Sequence, residues 1–355
     1  MRRLAVILPI LLLLLSPVTA SAAAQDYLGE LEQILPGDLP FDATDPESLS
    51  EAVGFEAILL EIHGVLKDEG AELLSFLLTL IGVVTLAALG KSVDARLRPA
   101  VSAAISAVAS ITVVRVILPA VSAVGEAMAE VGDFFGGLVP IFSGITLAGG
   151  GVSTAAVSAA GMSISLTVIG SFSTRVLTLC VTMLFVFGML ADLGGIGEGM
   201  MRGVRSFFLR GIGVVCFLFG SILTLQTVIS GASDGMMMRT AKFAATSTIP
   251  VVGTTVSGAM GTLGAGLSYV KGISGTAALA VIGWIALSPL VLLLAYRFVI
   301  SLAVAFVGFI DTGGGIRCFS AMLVALDALI AVFSMTTIVY IFQIILFIKS
   351  GVAIL

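Results

Sequence analysis

Charged residues are scarce in this chain, and their scarcity decides its class. Of 355 residues, 11% are Asp, Glu, Lys or Arg and 58% are hydrophobic. Soluble domains carry about 25% charged residues, so too little polar surface is present here to cover a water-soluble globule of this size. The composition therefore indicates a polytopic membrane protein rather than a soluble protein with one very large core.

Histidine and cysteine are also scarce, which excludes most metal and nucleophilic sites. The single histidine, His63, has no His or Cys neighbour in the sequence, and Cys180, Cys216 and Cys318 show no CxxC spacing. We interpret the cysteines as small apolar residues of the membrane domain. No HExxH, GxSxG, Walker A or paired-carboxylate motif occurs. The sequence therefore predicts no catalytic residue, metal site, cofactor or enzyme activity.

Basic residues are missing from one segment in particular. Residues 26–72 contain 13 acidic residues and one basic residue, Lys67, whereas residues 73–355 contain 14 Lys and Arg against 9 Asp and Glu. No basic run indicates nucleic-acid binding. The charges divide the chain into an acidic N-terminal segment and a weakly basic membrane domain.

The N-terminus has the pattern of a secretory signal peptide. Arg2 and Arg3 precede an apolar run over residues 4–15, and Ala20-Ser21-Ala22 fits a small-residue cleavage site. An uncleaved anchor is the alternative, and in both cases the residues that follow lie outside the cytoplasm. We predict a signal peptide over 1–22, an acidic flexible linker over 23–45, an extracytoplasmic amphipathic helix over 46–70 and a polytopic transmembrane domain over 71–355.

Residues 46–66 show the periodicity of an amphipathic helix. Asp45 can cap its first turn, and Pro46 suits the first helical position. An apolar stripe recurs at intervals of three and four residues; its members are Ala52, Phe55, Leu59, Ile62 and Leu66. The stripe must be covered by the membrane domain, by a second copy or by an extracytoplasmic partner. We take Phe55, Leu59, Ile62 and Leu66 as partner-facing candidates.

Long apolar runs predict an all-α, polytopic helical bundle with about seven to nine spans. The acidic group of Glu126, Glu130 and Asp133 predicts an outer turn after a span over 100–124, and Asp234 predicts a short outer loop. Three glycines at 149–151 predict a break between two helices. The basic segments 91–98 and 202–205 are expected on the cytoplasmic side.

Arg115, Arg210 and Arg297 fall within or beside apolar runs, and Asp327 lies near the start of the last span. Arg210 lies close to a predicted span boundary, which favours snorkelling. A charge at the bilayer centre costs about 2.5–3.5 kcal/mol, so Arg115 and Arg297 either line a polar pathway, snorkel to an interface or pair with a carboxylate. Pro119 lies one turn after Arg115 and leaves the Arg115 carbonyl without its helical amide partner. We take Arg115, Pro119 and Arg297 as candidate pathway or packing residues.

Residues 243–270 are uncharged but rich in glycine and hydroxyl side chains. Small residues recur four apart, a spacing that lets membrane helices approach closely; they are Thr254, Gly258, Thr262 and Gly266. Pro250 suits a helix start. We predict a short buried or re-entrant helix starting near Pro250, with a full span as the alternative. Pro250, Gly253 and the four small residues complete the candidate pathway or packing set.

Three short motifs and one glycine follow one another across residues 242–275. They are Lys242-Phe243-Ala244, Ile249-Pro250-Val251-Val252-Gly253, Tyr269-Val270-Lys271 and Gly275. Together with the order of signal peptide, acidic segment and polytopic domain, they resemble the stage III sporulation protein AE family of endospore-forming bacteria. The helix after IPVVG departs from the family in lacking an expected acidic residue.

The resemblance implies a membrane component of the sporulation channel complex that links mother cell and forespore. It places the chain in the outer forespore membrane on the mother-cell side, with the N-terminal segment extracytoplasmic. The chain would be a transmembrane conduit or a channel platform, with ring-forming subunits, an ATPase and lipid as partners and self-association as a further contact. The alternatives are a stand-alone secondary transporter of a small solute and a purely structural scaffold for ring subunits.

Overall fold

The protein is all-helical in the part of the chain that the structure describes. The computed structural model describes residues 27, 29–37, 39–43, 45–90, 92, 94, 96–193, 198–248, 253–309 and 317–350, and these contain no strand. The helices are α1 (Pro46–Ala52), α2 (Phe55–Asp68), α3 (Gly70–Gly90), α4 (Arg98–Ala148), α5 (Val152–Leu193), α6 (Glu198–Thr248), α7 (Gly253–Phe309) and α8 (Arg317–Lys349). The prediction of an all-α polytopic bundle is confirmed.

The amphipathic segment begins as predicted but forms two helices instead of one. The Asp45 carboxylate accepts hydrogen bonds from the backbone amides of Glu47 and Ser48 at 3.3 and 3.2 Å, and Pro46 follows in the first turn. The chain then bends at Gly54, where a Cβ would lie 2.8 Å from the Glu51 carbonyl oxygen. A side chain at residue 54 would collide with α1, so glycine permits the bend.

Six helical segments among the described residues are long and apolar enough to cross a membrane, against a prediction of seven to nine. They are Gly70–Gly90, Pro99–Ala148, Val152–Phe172, Gly213–Met236, Gly264–Phe309 and Met322–Lys349. Each segment is counted once even where its length exceeds one crossing, and the count covers only the described residues. The outer turn at 126–133 and the outer loop at Asp234 are wrong, since α4 and α6 pass straight through them.

Four helices are longer than one membrane crossing requires. α4, α5, α6 and α7 have 51, 42, 51 and 57 residues, which correspond to about 60–85 Å at ~1.5 Å per residue. The hydrocarbon core of a bilayer is only about 30 Å thick. Glu126, Glu130 and Asp133 are exposed midway along α4, where carboxylates cannot face hydrocarbon. These helices therefore extend well outside the hydrocarbon layer.

The predicted glycine break is confirmed between α4 and α5. Gly150 has a φ of 81°, in the left-handed region that glycine adopts without steric cost. The amide of Gly149 bonds to the Ile145 carbonyl at 3.1 Å, and the amide of Gly151 bonds to the Thr146 carbonyl at 3.0 Å. This turn satisfies the last carbonyl groups of α4 and reverses the chain.

The core lies where α4, α7 and α8 meet. Aromatic rings join α4 to α8 at two levels: Phe135 stacks on Tyr340 with centroids 4.5 Å apart, and Phe142 stacks on Phe347 at 3.7 Å. Phe76 of α3 meets Tyr296 of α7 edge-on at 5.9 Å. α5 packs against α4 and α8, and α6 packs mainly against α8 and α5.

The segment before α1 was predicted to be a flexible linker, but its described part, which we call the arm, packs on the bundle. Leu31 is fully buried. The Tyr27 ring and the Ile34 side chain lie 2.9 and 3.1 Å from where a Cβ would stand on Gly144 and Gly137 of α4. The absence of side chains at these two glycines, seven residues apart, creates notches for the arm.

Candidate functional site

Arg115 and Pro119, the first two candidate residues, lie on the outside of α4. Both are exposed. Ile111 and Leu118, which share the face of Arg115, are also more than two-fifths exposed. Arg115 therefore points away from the interior of this chain. A pathway that used Arg115 would have to run along the outside of the bundle.

The candidates of the glycine-rich stretch fall partly outside the described residues. Pro250 is not among them, and Gly253 is the first residue of α7, near the predicted start. Thr254, Gly258 and Thr262 are in helical backbone. At Gly266 a Cβ would meet no atom within 4 Å, so no helix of the described part of the chain packs closely there. The prediction of a short helix is wrong, because α7 continues unbroken to Phe309.

Arg297, the last pathway candidate, forms an ion pair with Asp327. Its Nε lies 2.5 Å from Oδ1 of Asp327, and the two side chains are 43% and 12% exposed. The pair joins α7 to α8 within their apolar runs. The sequence indicated both charges, but only the packing of α7 on α8 shows that they neutralise one another.

Asp234, expected in an outer loop, is a buried residue in the middle of α6. It is 4% exposed, and its carboxylate accepts the backbone amides of Ser153 at 3.0 Å and Thr154 at 2.6 Å. These amides belong to the first turn of α5, whose N–H groups have no partner within their own helix. The carboxylate satisfies them and lies at the positive end of the helix dipole.

Lys271, which the sequence analysis named only as part of a motif, is also 4% exposed. Its Nζ donates to the Ser350 hydroxyl at 2.8 Å and to the Ser350 carbonyl oxygen, and lies 4.6 Å from the centre of the Phe347 ring. Ser350 follows the last residue of α8, and its own amide bonds to the Leu346 carbonyl at 2.7 Å. The ammonium thus lies at the negative end of the α8 dipole.

Gly275 lies one turn after Lys271 and faces the same end of α8. A Cβ at this position would overlap the Ile348 side chain. The two motif residues therefore act together, because the ammonium binds the end of α8 while the glycine allows α8 to approach. Their spacing of four was a signal in the sequence, but the partner at residues 348–350 was not visible from it.

A further polar contact joins α5 to α8. The Gln343 amide nitrogen donates to the Ser165 hydroxyl, which donates in turn to the Gly161 carbonyl at 2.7 Å. Oε1 of Gln226, on α6, lies 3.7 Å from where a Cβ of Gly161 would stand. The Gln343 carbonyl oxygen and the Thr154 hydroxyl are buried without a hydrogen-bond partner among the described residues.

The partner-facing candidates remain mostly uncovered. α2 contains no buried residue, and Phe55 is 75% exposed. Leu59 and Leu66 are exposed as well, and Ile62 is half-buried. Within the described part of the chain, no group of three or more His, Cys, Asp or Glu side chains could hold a metal ion.

Helices α3 to α8 are apolar and long enough to cross a membrane. Two buried charges contact helix ends, and two further charges form an ion pair. Together these features define a polytopic helical membrane protein. The family model described as Stage III sporulation protein AE matches residues 50–351. The chain therefore belongs to the stage III sporulation protein AE family, as its motifs predicted, and its role is in sporulation. No curated protein and no solved structure matches it.

Proposed function

We propose that this protein is the membrane platform of the sporulation channel complex that links mother cell and forespore. Membership of the family supports a role in sporulation. The observation that favours a platform is the uncovered α2, which carries an apolar stripe but has no buried residue. A contiguous apolar face of this kind fits another protein. Ring-forming subunits and an ATPase are the partners we propose.

A platform must hold its docking surface in place, and the contacts around α2 fit that requirement. Leu49 of α1 is buried, and the preceding arm reaches α7, where Phe41 meets Trp284 edge-on with centroids 5.8 Å apart. α2 itself contacts both α3 and α7. α2 is thus attached to the bundle while Phe55, Leu59 and Leu66 stay exposed.

In this proposal the chain is a multi-pass protein of the outer forespore membrane with its N-terminal segment outside the cytoplasm. Lys91, Arg96 and Arg98 follow α3 closely, which favours a cytoplasmic position for that connection. The chain has no catalytic activity of its own in this scheme, and the partner ATPase supplies the energy.

The test is purification from sporulating cells with and without residues 46–66. We expect the intact chain to co-isolate with ring subunits and an ATPase, and the deleted chain to stay in the membrane but lose them. Arg115→Ala is the matched variant outside this surface, and we expect cells that carry it to sporulate normally. Recovery of the full set of subunits with the deleted chain, or of the intact chain alone, would contradict the platform.

The buried polar groups of α5 favour a conduit as the second candidate function. Thr154, Gly161 and Ser165 share one face of α5, and unpartnered oxygens of Thr154 and Gln343 lie along it. Buried oxygens without a protein partner are ordinarily satisfied by water. A conduit predicts that cysteines placed at residues 161 and 165, with the native cysteines replaced by alanine, react with a water-soluble thiol reagent. Complete protection of both would argue strongly against it.

A further inference from the structure

A cavity of about 500 Å³ lies between the N-terminal helices and α7. We name it the N-terminal groove. Its walls include Leu49 of α1, Val53 of the bend and Ile58 of α2, and α7 contributes Leu279 and Trp284. Its volume falls in the range of roughly 300–1,000 Å³ that is typical of sites burying a ligand. The walls are almost entirely apolar, so the occupant must present an apolar surface.

Exposed apolar side chains continue from the groove onto α2. Val53 is 57% exposed, Phe55 is 75% exposed and Leu59 is 47% exposed. The groove and these side chains form one surface, which is larger than an isolated exposed residue and fits a partner that extends along the helix. α2 has 14 residues, so a helix of similar length would cover it.

Carboxylates surround this surface. The segment from α1 to the first turn of α3 carries seven acidic residues against Lys67; the seven are Glu47, Glu51, Glu56, Glu61, Asp68, Glu69 and Glu72. None of them is buried. Because carboxylates are too costly to place in hydrocarbon, this side of α7 lies outside the bilayer core and is open to water or to another protein.

The charge distribution discriminates among three occupants. A second copy docked through the same face would bring two acidic rims together, which is unfavourable in a symmetric contact. An anionic lipid surface would be repelled for the same reason. A helix with apolar anchors flanked by Lys and Arg would match both the apolar groove and the carboxylates around it.

We propose that the N-terminal groove is the docking site for a basic amphipathic helix of a partner protein. The inference rests on the proposed platform function and adds the chemistry of the partner. Apolar side chains at three- and four-residue intervals enter the groove between α1 and α7 and cover Phe55 and Leu59. Basic side chains on either side meet the carboxylates of Glu51 and Glu56, which gives the contact its charge selectivity.

Binding of designed peptides to the purified full-length chain in uncharged detergent tests this proposal. The probe is a fluorescent helical peptide as long as α2, with leucine at helical intervals and lysine elsewhere. One control keeps the leucines and replaces lysine by glutamate, and another keeps the composition but scrambles the leucine positions. We expect the probe alone to bind, with an affinity that falls as salt rises. Equal binding of either control would overturn the proposal.

Three chain variants and one control variant locate the contact. E51K/E56K should weaken probe binding at least about fivefold at low salt, whereas E126K/E130K, a matched reversal of two exposed carboxylates on α4, should not. Ala280→Leu fills the groove from the α7 side. It should weaken probe binding, and the binding that remains should keep the same salt dependence. F55S/L59S changes only exposed side chains, so its loss of binding would not be a folding defect. Unchanged affinity in both E51K/E56K and F55S/L59S would contradict the assignment.

A photo-crosslinker at Val53 in sporulating cells identifies the natural occupant. We expect an adduct with a different protein, at a segment that is basic and amphipathic. Adducts only with this chain would establish a second copy as the occupant, and adducts only with lipid would establish a membrane surface; both results overturn the proposal. If the probe does not bind but deletion of 46–66 still abolishes assembly, the inference fails and the platform stands. If the probe binds but deletion of 46–66 leaves assembly intact, the platform function is contradicted and the assignment of the groove stands.

Discussion

Lys271 of α7 holds the end of α8 through Ser350, a residue 79 positions later in the chain. The ammonium is buried and binds a helix terminus, where the carbonyl groups of the last turn lack intrahelical partners. Asp234 of α6 makes the opposite contact with the first turn of α5. Two buried charges of opposite sign are thus stabilised by two helix ends.

We expect Lys271→Met to loosen the end of α8. The substitution keeps most of the apolar volume but removes the charge-assisted hydrogen bonds to Ser350, which contribute about 1.5–3 kcal/mol when a charged group is involved. Limited proteolysis near the C-terminus and thermal unfolding in detergent measure the effect. Lys349→Met is the matched control, because Lys349 is exposed in the last turn of the same helix. Identical behaviour of the two variants would show that the Lys271 contact contributes nothing.

We expect Asp234→Ala to destabilise the bundle, and Asp234→Asn to do so less. Alanine leaves the amides of Ser153 and Thr154 without their acceptor, which costs about 0.5–2 kcal/mol for a helix cap. Asparagine keeps an acceptor oxygen but loses the charge. The midpoint of thermal unfolding in detergent orders the variants, with the exposed Asp133→Ala as control. A larger loss for asparagine than for alanine would be inconsistent with capping.

We expect Gly275→Ala to be more damaging than alanine at another α7 glycine. Its new methyl group would overlap Ile348, and such overpacking costs about 1–3 kcal/mol. Gly266→Ala meets open space and should be neutral or stabilising by up to about 1 kcal/mol, because alanine is the better helix former. The double variant Gly275→Ala with Ile348→Ala should recover part of the loss. Absence of recovery would place the strain elsewhere.

The Arg297–Asp327 pair predicts energetic coupling between α7 and α8. Arg297→Met and Asp327→Leu each remove the ion pair, and the double variant should lose less stability than the two single variants added together. Coupling energies between contacting residues are about 0.5–3 kcal/mol, and the partial exposure of Arg297 favours the lower part of that range. A double-mutant cycle of unfolding in detergent measures the coupling. Strict additivity would show that the 2.5 Å contact has no energetic consequence.

The sequence correctly predicted helix starts and ends that depend only on neighbouring residues. Asp45 and Pro46 start α1 where their chemistry placed the start, and the glycines at 149–151 end α4. Charge was a poorer guide, because Glu126 and Asp234 were read as ends of spans. An exposed carboxylate is tolerated within a helix, and a buried one is tolerated when a neighbouring helix end accepts it.

The sequence alone determined that the protein is all-helical, lies in a membrane and belongs to the stage III sporulation protein AE family. Composition and the length of the apolar runs indicate that the chain lies in lipid. Unpaired backbone groups are too costly in lipid, so only a few folds are possible there. Only the tertiary structure decided the partners of the charged side chains within the bundle. Asp234 binds the first turn of α5, Lys271 binds the end of α8, and Arg297 pairs with Asp327. Each of these contacts joins residues at least 30 positions apart, and such partners are chosen by helix packing, which leaves no periodic signal in either segment.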